Sequence, residues 1–328
     1  MSVRLTLALS SGDLNLPDSG EVAVICPTPA FDLGELPQGR VRIVQPFKPH
    51  FDHFCGLGFD CVPVLDAPCA VAILAVPRAK AQARDLLARA AARAELVVVD
   101  GAKTDGIDSL LKEARKRVAV FGPISKAHGK LFWFAPEPGL FDDWLAPDEQ
   151  KANGYVTAPG VFSADGIDPA SRQLLAALPA KLGSHLADFG AGWGYLSAEI
   201  LATRPGIESI DLVEADHIAL GCAQRNVTDP RARFHWADAL TWAAPERLDC
   251  VVMNPPFHTG RAAEPALGRG FIAAAARALK PGGSLWMVAN RHLPYESAVG
   301  DHFAKFTEVS GDNRFKILHA ERPSRVRR

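Results

Sequence analysis

The sequence predicts an α/β protein of two tandem doubly wound domains, the second of which carries a ligand site. Three observations predict it. Both halves alternate apolar, β-branched runs with helical patterns, as parallel sheets covered by helices require. A glycine-rich turn in the second half (Gly190, Gly192, Gly194) joins an apolar run to a helical pattern. Between the halves, residues 135–153 hold Pro136, Pro138, Gly139 and Pro147 and read as a connector. The expected division is a first Rossmann-like domain over 1–140, a linker over 141–153 and a second Rossmann-like domain over 154–328.

In the first half, Glu21–Cys26 and Arg40–Val44 read as strands and Ala70–Val76 as a buried one. A helix follows over Arg78–Ala94, then a strand over Leu96–Asp100, a helix over Ile107–Arg117 and a strand over Val118–Phe121. After Val76 the chain reads Pro77-Arg78-Ala79-Lys80, with no glycine loop, and Gly56 and Gly58 precede no helix start. This half is expected to lack a cofactor site. Asp142-Asp143-Trp144, inside the connector, reads as a surface patch packing on one domain.

The second half is richer. Leu186–Phe189 is a strand, the glycine turn follows, and Tyr195–Thr203 is helical. Gly190, Gly192 and Gly194 permit positive φ and close approach to a ligand, and a helix N-terminus offers free N–H donors. The spacing is G-x-G-x-G, with Tyr195 where a dinucleotide fingerprint needs its third glycine, which argues against NAD or FAD. Asp188 would repel a pyrophosphate but suits an ammonium group. The expected cofactor is S-adenosylmethionine. Strand Ser209–Val213 leads to Glu214, placed to grip ribose hydroxyls. Strand Ala232–Trp236 leads to Asp238 and Ala239, a carboxylate and a backbone N–H suited to adenine. Next come strand Leu248–Met253, the turn Asn254-Pro255-Pro256-Phe257, helix Pro265–Leu279, a tight turn over Lys280–Gly283 and strand Ser284–Ala289. Each polar residue ends its own strand, the edge where open α/β sheets bind ligands.

Asn254, Pro255 and Phe257 are the expected catalytic residues, and Asn254 also borders the cofactor. A planar amine is a poor nucleophile because its lone pair is delocalised. The Asn254 side-chain oxygen and the Pro255 carbonyl can hold its two hydrogens and free the lone pair. Proline fixes φ and donates no N–H, so neighbouring carbonyls stay in place. Phe257 offers a face for a base, a stacking contact worth about 1–3 kcal/mol. His258 either contacts the base or is a hydrogen-bonded loop residue.

With these residues in view, positions 154–322 resemble the catalytic half of the ribosomal RNA guanine-N2 methyltransferases, above all the RsmC type acting on 16S RNA. The resemblance rests on Gly160–Ser163 with Asp165–Asp168, on Asp188–Gly194 and on Asn254–His258. It continues through Val288–Asn290, Leu293-Pro294-Tyr295 and Arg314-Phe315-Lys316. It is fainter in the first half, where Lys126 through Phe134 look like the close of that family's N-terminal domain. The resemblance implies a class I methyltransferase-like fold in both halves, the first a degenerate copy. It also implies guanine N2 as acceptor, with ribosomal RNA or the small ribosomal subunit as partner. Methylation of 23S RNA, methylation of a protein glutamine and a non-catalytic ribosome-assembly role stay open beside it.

Composition sets outer bounds. At 328 residues the chain fits about two domains. No apolar run approaches the ~20 residues of a membrane span, and Arg4 with Ser10–Asp13 interrupts any signal-peptide core. Six cysteines without a Cys-x-x-Cys pair suggest reduced thiols in the cytoplasm. Cys55, Cys61 and Cys69 beside His50 and His53 fit no common zinc spacing, so no metal is expected. Net charge is −1, so local basic patches would have to meet RNA phosphates. One candidate is the tail after Asn313, which holds Arg314, Lys316, Arg322, Arg325, Arg327 and Arg328 against Glu321; the alternative for it is a frayed, solvated terminus. Oligomeric state is not legible.

Overall fold

The structure, a computed structural model, describes residues 3–256 and 265–324. Phe257, His258 and the final arginines therefore lie outside the described residues. Contacts divide the chain into two compact units, residues 1–150 and 151–328.

The first unit comprises α1 (Val3–Ser10), β1 (Val22–Ile25), β2 (Val41–Val44), α2 (Lys48–Gly56), β3 (Asp60–Val62) and β4 (Cys69–Ala75). It continues with α3 (Lys80–Ala91), β5 (Ala94–Ala102), α4 (Ile107–Ala114), β6 (Phe121–Lys126) and β7 (Gly129–Phe134). Its sheet runs β3-β2-β1-β4-β5-β7-β6, with β7 antiparallel to both neighbours. Strand residues alternate between two cores: Ala23 and Ile25 face α3 and α4, whereas Val22 and Val24 face α1 and α2.

A two-stranded piece, β8 (Gln150–Ala152) with β9 (Tyr155–Thr157), precedes the second sheet. The second unit then runs α5 (Pro169–Ala177), β10 (His185–Phe189), α6 (Tyr195–Thr203), β11 (Ser209–Glu214), α7 (His217–Asn226) and β12 (Ala232–Trp236). After these come β13 (Leu248–Met253), α8 (Pro265–Ala278), β14 (Leu279–Asn290), α9 (Glu296–His302), β15 (Phe303–Gly311) and β16 (Phe315–Pro323). Its order, β12-β11-β10-β13-β14-β16-β15, repeats that of the first sheet position for position. The helices correspond as well, α1 to α5, α2 to α7, α3 to α8 and α4 to α9. The exception is α6. No α-helix lies between β1 and β2, where residues 26–37 run as a loop into a single 3-10 turn.

Several expected elements differ. The strand expected at Val118–Phe121 begins at Phe121, and α1 and α2 were not anticipated. Phe54 is the buried residue of α2, so that helix has no apolar period to read. Lys280–Gly283 is not a free turn but a bulge inside β14. Leu248 pairs with Leu279 and Cys250 with Ser284, so four residues loop out opposite Asp249, whose carboxylate takes Lys280 at 2.7 Å. The tail is not frayed over Phe315–Pro323, which is an inner strand between β14 and β15. Phe141 and Trp144, drawn as connector, are 2% and 7% exposed in the first unit's core. Arg117 lies over the Trp144 ring at 4.8 Å and makes paired bonds to Asp143.

Candidate active site

Strand parity decides which side chains reach the ligand edge. In β10, Leu186 packs under α5–α7 and Ala187 on the opposite face, so Asp188 falls on the α6 side. In β11, Ile210 and Leu212 share that side with Glu214; in β13, Cys250 and Val252 share it with Asn254. One face of three neighbouring strands thus delivers Asp188, Glu214 and Asn254 to the same end of the sheet.

Gly190, Gly192 and Gly194 have φ of 72°, 56° and 88°, the left-handed region that favours glycine. A Cβ on Gly192 would meet nothing within 4 Å, so that residue borders open space, while one on Gly194 would press on Val227 at 2.9 Å. Gly192 N–H donates to Glu214 Oε2 and Asp216 N–H to Oε1, both at 2.8 Å. Behind the loop, Asp188 is 0% exposed and accepts from Ser197 Oγ at 2.8 Å. Its Oδ1 has no partner among the described residues. Burial pushes the Asp188 carboxyl up to about 7; Ser197 opposes the rise and the nearby Glu214 charge adds to it. Burial also lifts Glu214 to about 7 against the pull of its backbone donors. Two carboxylates poised near neutrality behind a glycine cradle suit a ligand that brings hydroxyls and positive charge.

Asn254 is anchored by Asp168, quoted above only as part of the family resemblance, and by Ser171, which the sequence reading did not single out. Its Nδ2 donates to Asp168 Oδ2 and to Ser171 Oγ, each at 2.9 Å. A carboxylate only accepts, so the amide must turn its N–H₂ group inward, and the carbonyl oxygen is the group left over. Asp168 is also the N-cap of α5, accepting from Ser171 N–H at 2.8 Å with Pro169 at the first helical position. That Asp-Pro helix start, together with the Asp165–Asp168 element of the resemblance, was the signal available in the sequence. Pro255 is buried and Pro256 exposed. Phe257 lies outside the described residues.

The open cleft beside this network is lined by Phe162, Ser163, Gly192, Trp193, Tyr195 and Asn254, among others. Phe162 is 57% exposed, while its carbonyl accepts from the Trp193 indole at 3.0 Å. Asn226 clamps this flank by bonding both backbone groups of Val156 and the Trp193 carbonyl. Asp188 and Glu214 lie behind the lining, and Asp238 and Ala239 are not part of it either. Asp238 Oδ1 takes Leu240 N–H at 2.9 Å, and Ala239 is 4% exposed in the opposite core. Among the described residues, no group of three His, Cys, Asp or Glu side chains could hold a metal.

The first unit shows the same positions emptied of chemistry. Register sets Ile25 in the place of Phe189, Val44 in that of Val213 and Leu74 in that of Met253. Cys26, at φ 56°, stands where Gly190 stands, and each donates at 2.8 Å to the second strand. Gln45 replaces Glu214. Its Oε1 accepts from Phe47 N–H at 2.9 Å, as Glu214 does from Asp216, but its Nε2 donates to the Pro27 carbonyl at 2.8 Å. A charged acceptor has become a neutral, 3% exposed amide committed to its own loop. The Asn254 position falls on Ala75, which has no acceptor to offer. The turn after Val76 that looked like a missing glycine loop is thus the counterpart of the Asn-Pro-Pro turn, since β4 is the fourth strand of its sheet.

Residues 153–319 match the family model described as methyltransferase small domain. A ribosomal RNA small subunit methyltransferase C from Hahella chejuensis is 31% identical over 72% of this chain and 72% of its own length. Its namesake from Aeromonas hydrophila is 32% identical over 81% and 79%. A ribosomal RNA large subunit methyltransferase G from Streptomyces avermitilis is 29% identical over 76% and 70%. Among solved structures, a T. thermophilus 16S rRNA guanine-N2 methyltransferase in complex with AdoMet and guanosine superposes with TM-score 0.79 at 24% identity, over 98% of this chain and 92% of that one. The likeness extends to the two-domain fold.

Proposed function

The chain belongs to the methyltransferase small domain family and, within it, to the ribosomal RNA small subunit methyltransferases C, and from that premise we propose that it methylates the exocyclic N2 amine of a guanine in small-subunit ribosomal RNA. The observation that carries this reading is the Asn254 amide, its hydrogens committed to Asp168 and Ser171 and its oxygen left to hold an amine. S-adenosylmethionine supplies an electrophilic methyl when bound. The left-handed glycines, the unpartnered Asp188 Oδ1 and the Glu214 carboxylate are groups that fit it. Glu214 is proposed to hold the ribose, and Asp238 with Ala239 the adenine. Asn254 Oδ1 and the Pro255 carbonyl accept the two amine hydrogens, which directs the nitrogen lone pair outward. Phe257 is proposed as the ring on which the base stacks. Positioning does most of this work. The base must come from a single-stranded region or be flipped out of a helix.

The cytoplasm, where ribosomal RNA lies, is the proposed location; among the described residues no helix is long and apolar enough to cross a membrane. The relative named for the large subunit supports a second reading, in which the target guanine lies in 23S RNA. One experiment decides. Nuclease digestion and mass spectrometry of both ribosomal RNAs from a deletion strain should show one N2-methylguanosine lost from 16S RNA and restored by the intact gene. Loss from 23S RNA instead would move the substrate, and no loss from either would reject the activity.

The raised carboxyls give a pH dependence with a defined sign. Asp188 and Glu214 sit near 7 in the fold against about 4 in an unfolded chain, so the stability they lend is present at low pH and lost as pH rises through 7. Hydroxyl and ammonium donors favour the ionised forms, so cofactor binding should release protons and tighten between pH 6 and 8. The increase in melting temperature caused by S-adenosylmethionine should grow over that range. It should be flattened by Glu214→Gln, while Glu214→Ala should weaken binding by about 1.5–3 kcal/mol. A shift that stays constant from pH 6 to 8 in the unaltered protein would argue that neither carboxylate meets the cofactor.

A further inference from the structure

We propose that Asp168 is a positioning residue for methyl transfer, fixing which face of the Asn254 amide meets the substrate amine and enriching that face in charge. The proposal rests on the reading of Asn254 as the amine holder. A single oxygen, Asp168 Oδ2, accepts from Ser171 N–H at 2.8 Å and from Asn254 Nδ2 at 2.9 Å. The first bond caps α5; the second reaches across 86 residues of chain to the end of β13. Ser171 Oγ takes the other amide hydrogen, so both hydrogens of Asn254 are consumed on the α5 side. Turning the amide over would set Oδ1 against the Asp168 carboxylate, which only accepts, and lose that bond; the Ser171 hydroxyl could serve either orientation, so Asp168 is the group that selects one. Capping holds the carboxylate itself in place, because Pro169 fixes the first helical φ and Asp168 is extended at φ −61° and ψ 128°.

The consequence is electronic as well as geometric. A negative charge bonded to the amide N–H₂ drives density through the conjugated amide onto Oδ1. As the amine nitrogen attacks, its hydrogens become more positive, and an enriched acceptor gains most at that moment. An acceptor so fixed favours N–H donors and disfavours a carbonyl edge in the same place.

The test separates this role from helix capping. Serine caps as well as aspartate but does not span to Asn254, and asparagine caps and spans without charge. Purified Asp168→Ser protein should melt near the unaltered temperature and bind S-adenosylmethionine as before. Its kcat on small ribosomal subunits should fall about tenfold or more, the worth of one hydrogen bond to a charged group, with KM little changed. Asp168→Asn should fall less. In an Asn254→Ala background, Asp168→Ser should have no further effect on kcat. Full kcat in Asp168→Ser beside an impaired Asn254→Ala overturns the positioning role and leaves Asn254 standing. An equal loss with and without the Asn254 side chain overturns it too, because the residue then acts through the fold. Full rates in Asn254→Ala itself would remove the underlying reading, and this proposal with it.

Discussion

Replacing Asn254 by alanine is expected to lower kcat about a hundredfold or more, as losing one preorganised group at a reacting centre does, with S-adenosylmethionine affinity nearly unchanged. The reason lies in when the interaction is used. Before reaction the amine is planar and makes ordinary hydrogen bonds, available also from water. During attack it pyramidalises and becomes cationic, and then the fixed acceptor matters, so the loss should appear in kcat more than in substrate binding. The side chain lies at the end of β13, half-buried, with its amide hydrogens on Asp168 and Ser171. Alanine would also leave those two acceptors without their donor, so the melting temperature belongs in the same experiment. Single-turnover transfer to small subunits, with cofactor binding by calorimetry, is the measurement. A rate within a few-fold of the unaltered protein would place the amine elsewhere.

In the second sheet β10, β11 and β13 were legible because they are buried along their length and read as apolar runs with a polar residue at or just past the end, whereas β16 and the largely exposed β15 were not read as strands. Ser209, Leu248 and Met253 mark real strand ends for that reason. Asp168 and Ser171 were not legible as partners of Asn254. They lie 86 and 83 positions away, and their meeting depends on strand parity and on α5 lying over β13's face, neither of which leaves a local pattern. The first unit misled in a specific way. With α6 absent, its glycine-loop position is the plain stretch Cys26-Pro27-Thr28, and the eye moves to the more apolar β4 as if it were the leading strand. Gln45 and Ala75 become meaningful only once register places them opposite Glu214 and Asn254.

The Leu-Pro-Tyr element was legible as a family feature, and packing supplies its reason. Tyr295 is 1% exposed and lies directly against α8 at Gly268, where an added Cβ would sit 2.1 Å from the tyrosine oxygen and 2.3 Å from Cζ. Buried Lys316 braces the same turn, donating to the Leu293 carbonyl and pairing with Glu296. Gly268→Ala is therefore expected to destabilise the second unit by about 3 kcal/mol, the upper range for overpacking, and to lower its melting temperature by roughly 6–12 °C. Helix propensity alone argues the opposite, since alanine is favoured over glycine inside a helix by about 1 kcal/mol. The two causes separate in a Tyr295→Ala background. With the ring gone, the overlap vanishes, and Gly268→Ala should become neutral or stabilising by up to about 1 kcal/mol. Denaturant unfolding of the four proteins measures this directly. If Gly268→Ala costs the same with and without the ring, the contact with Tyr295 is not what excludes a side chain there.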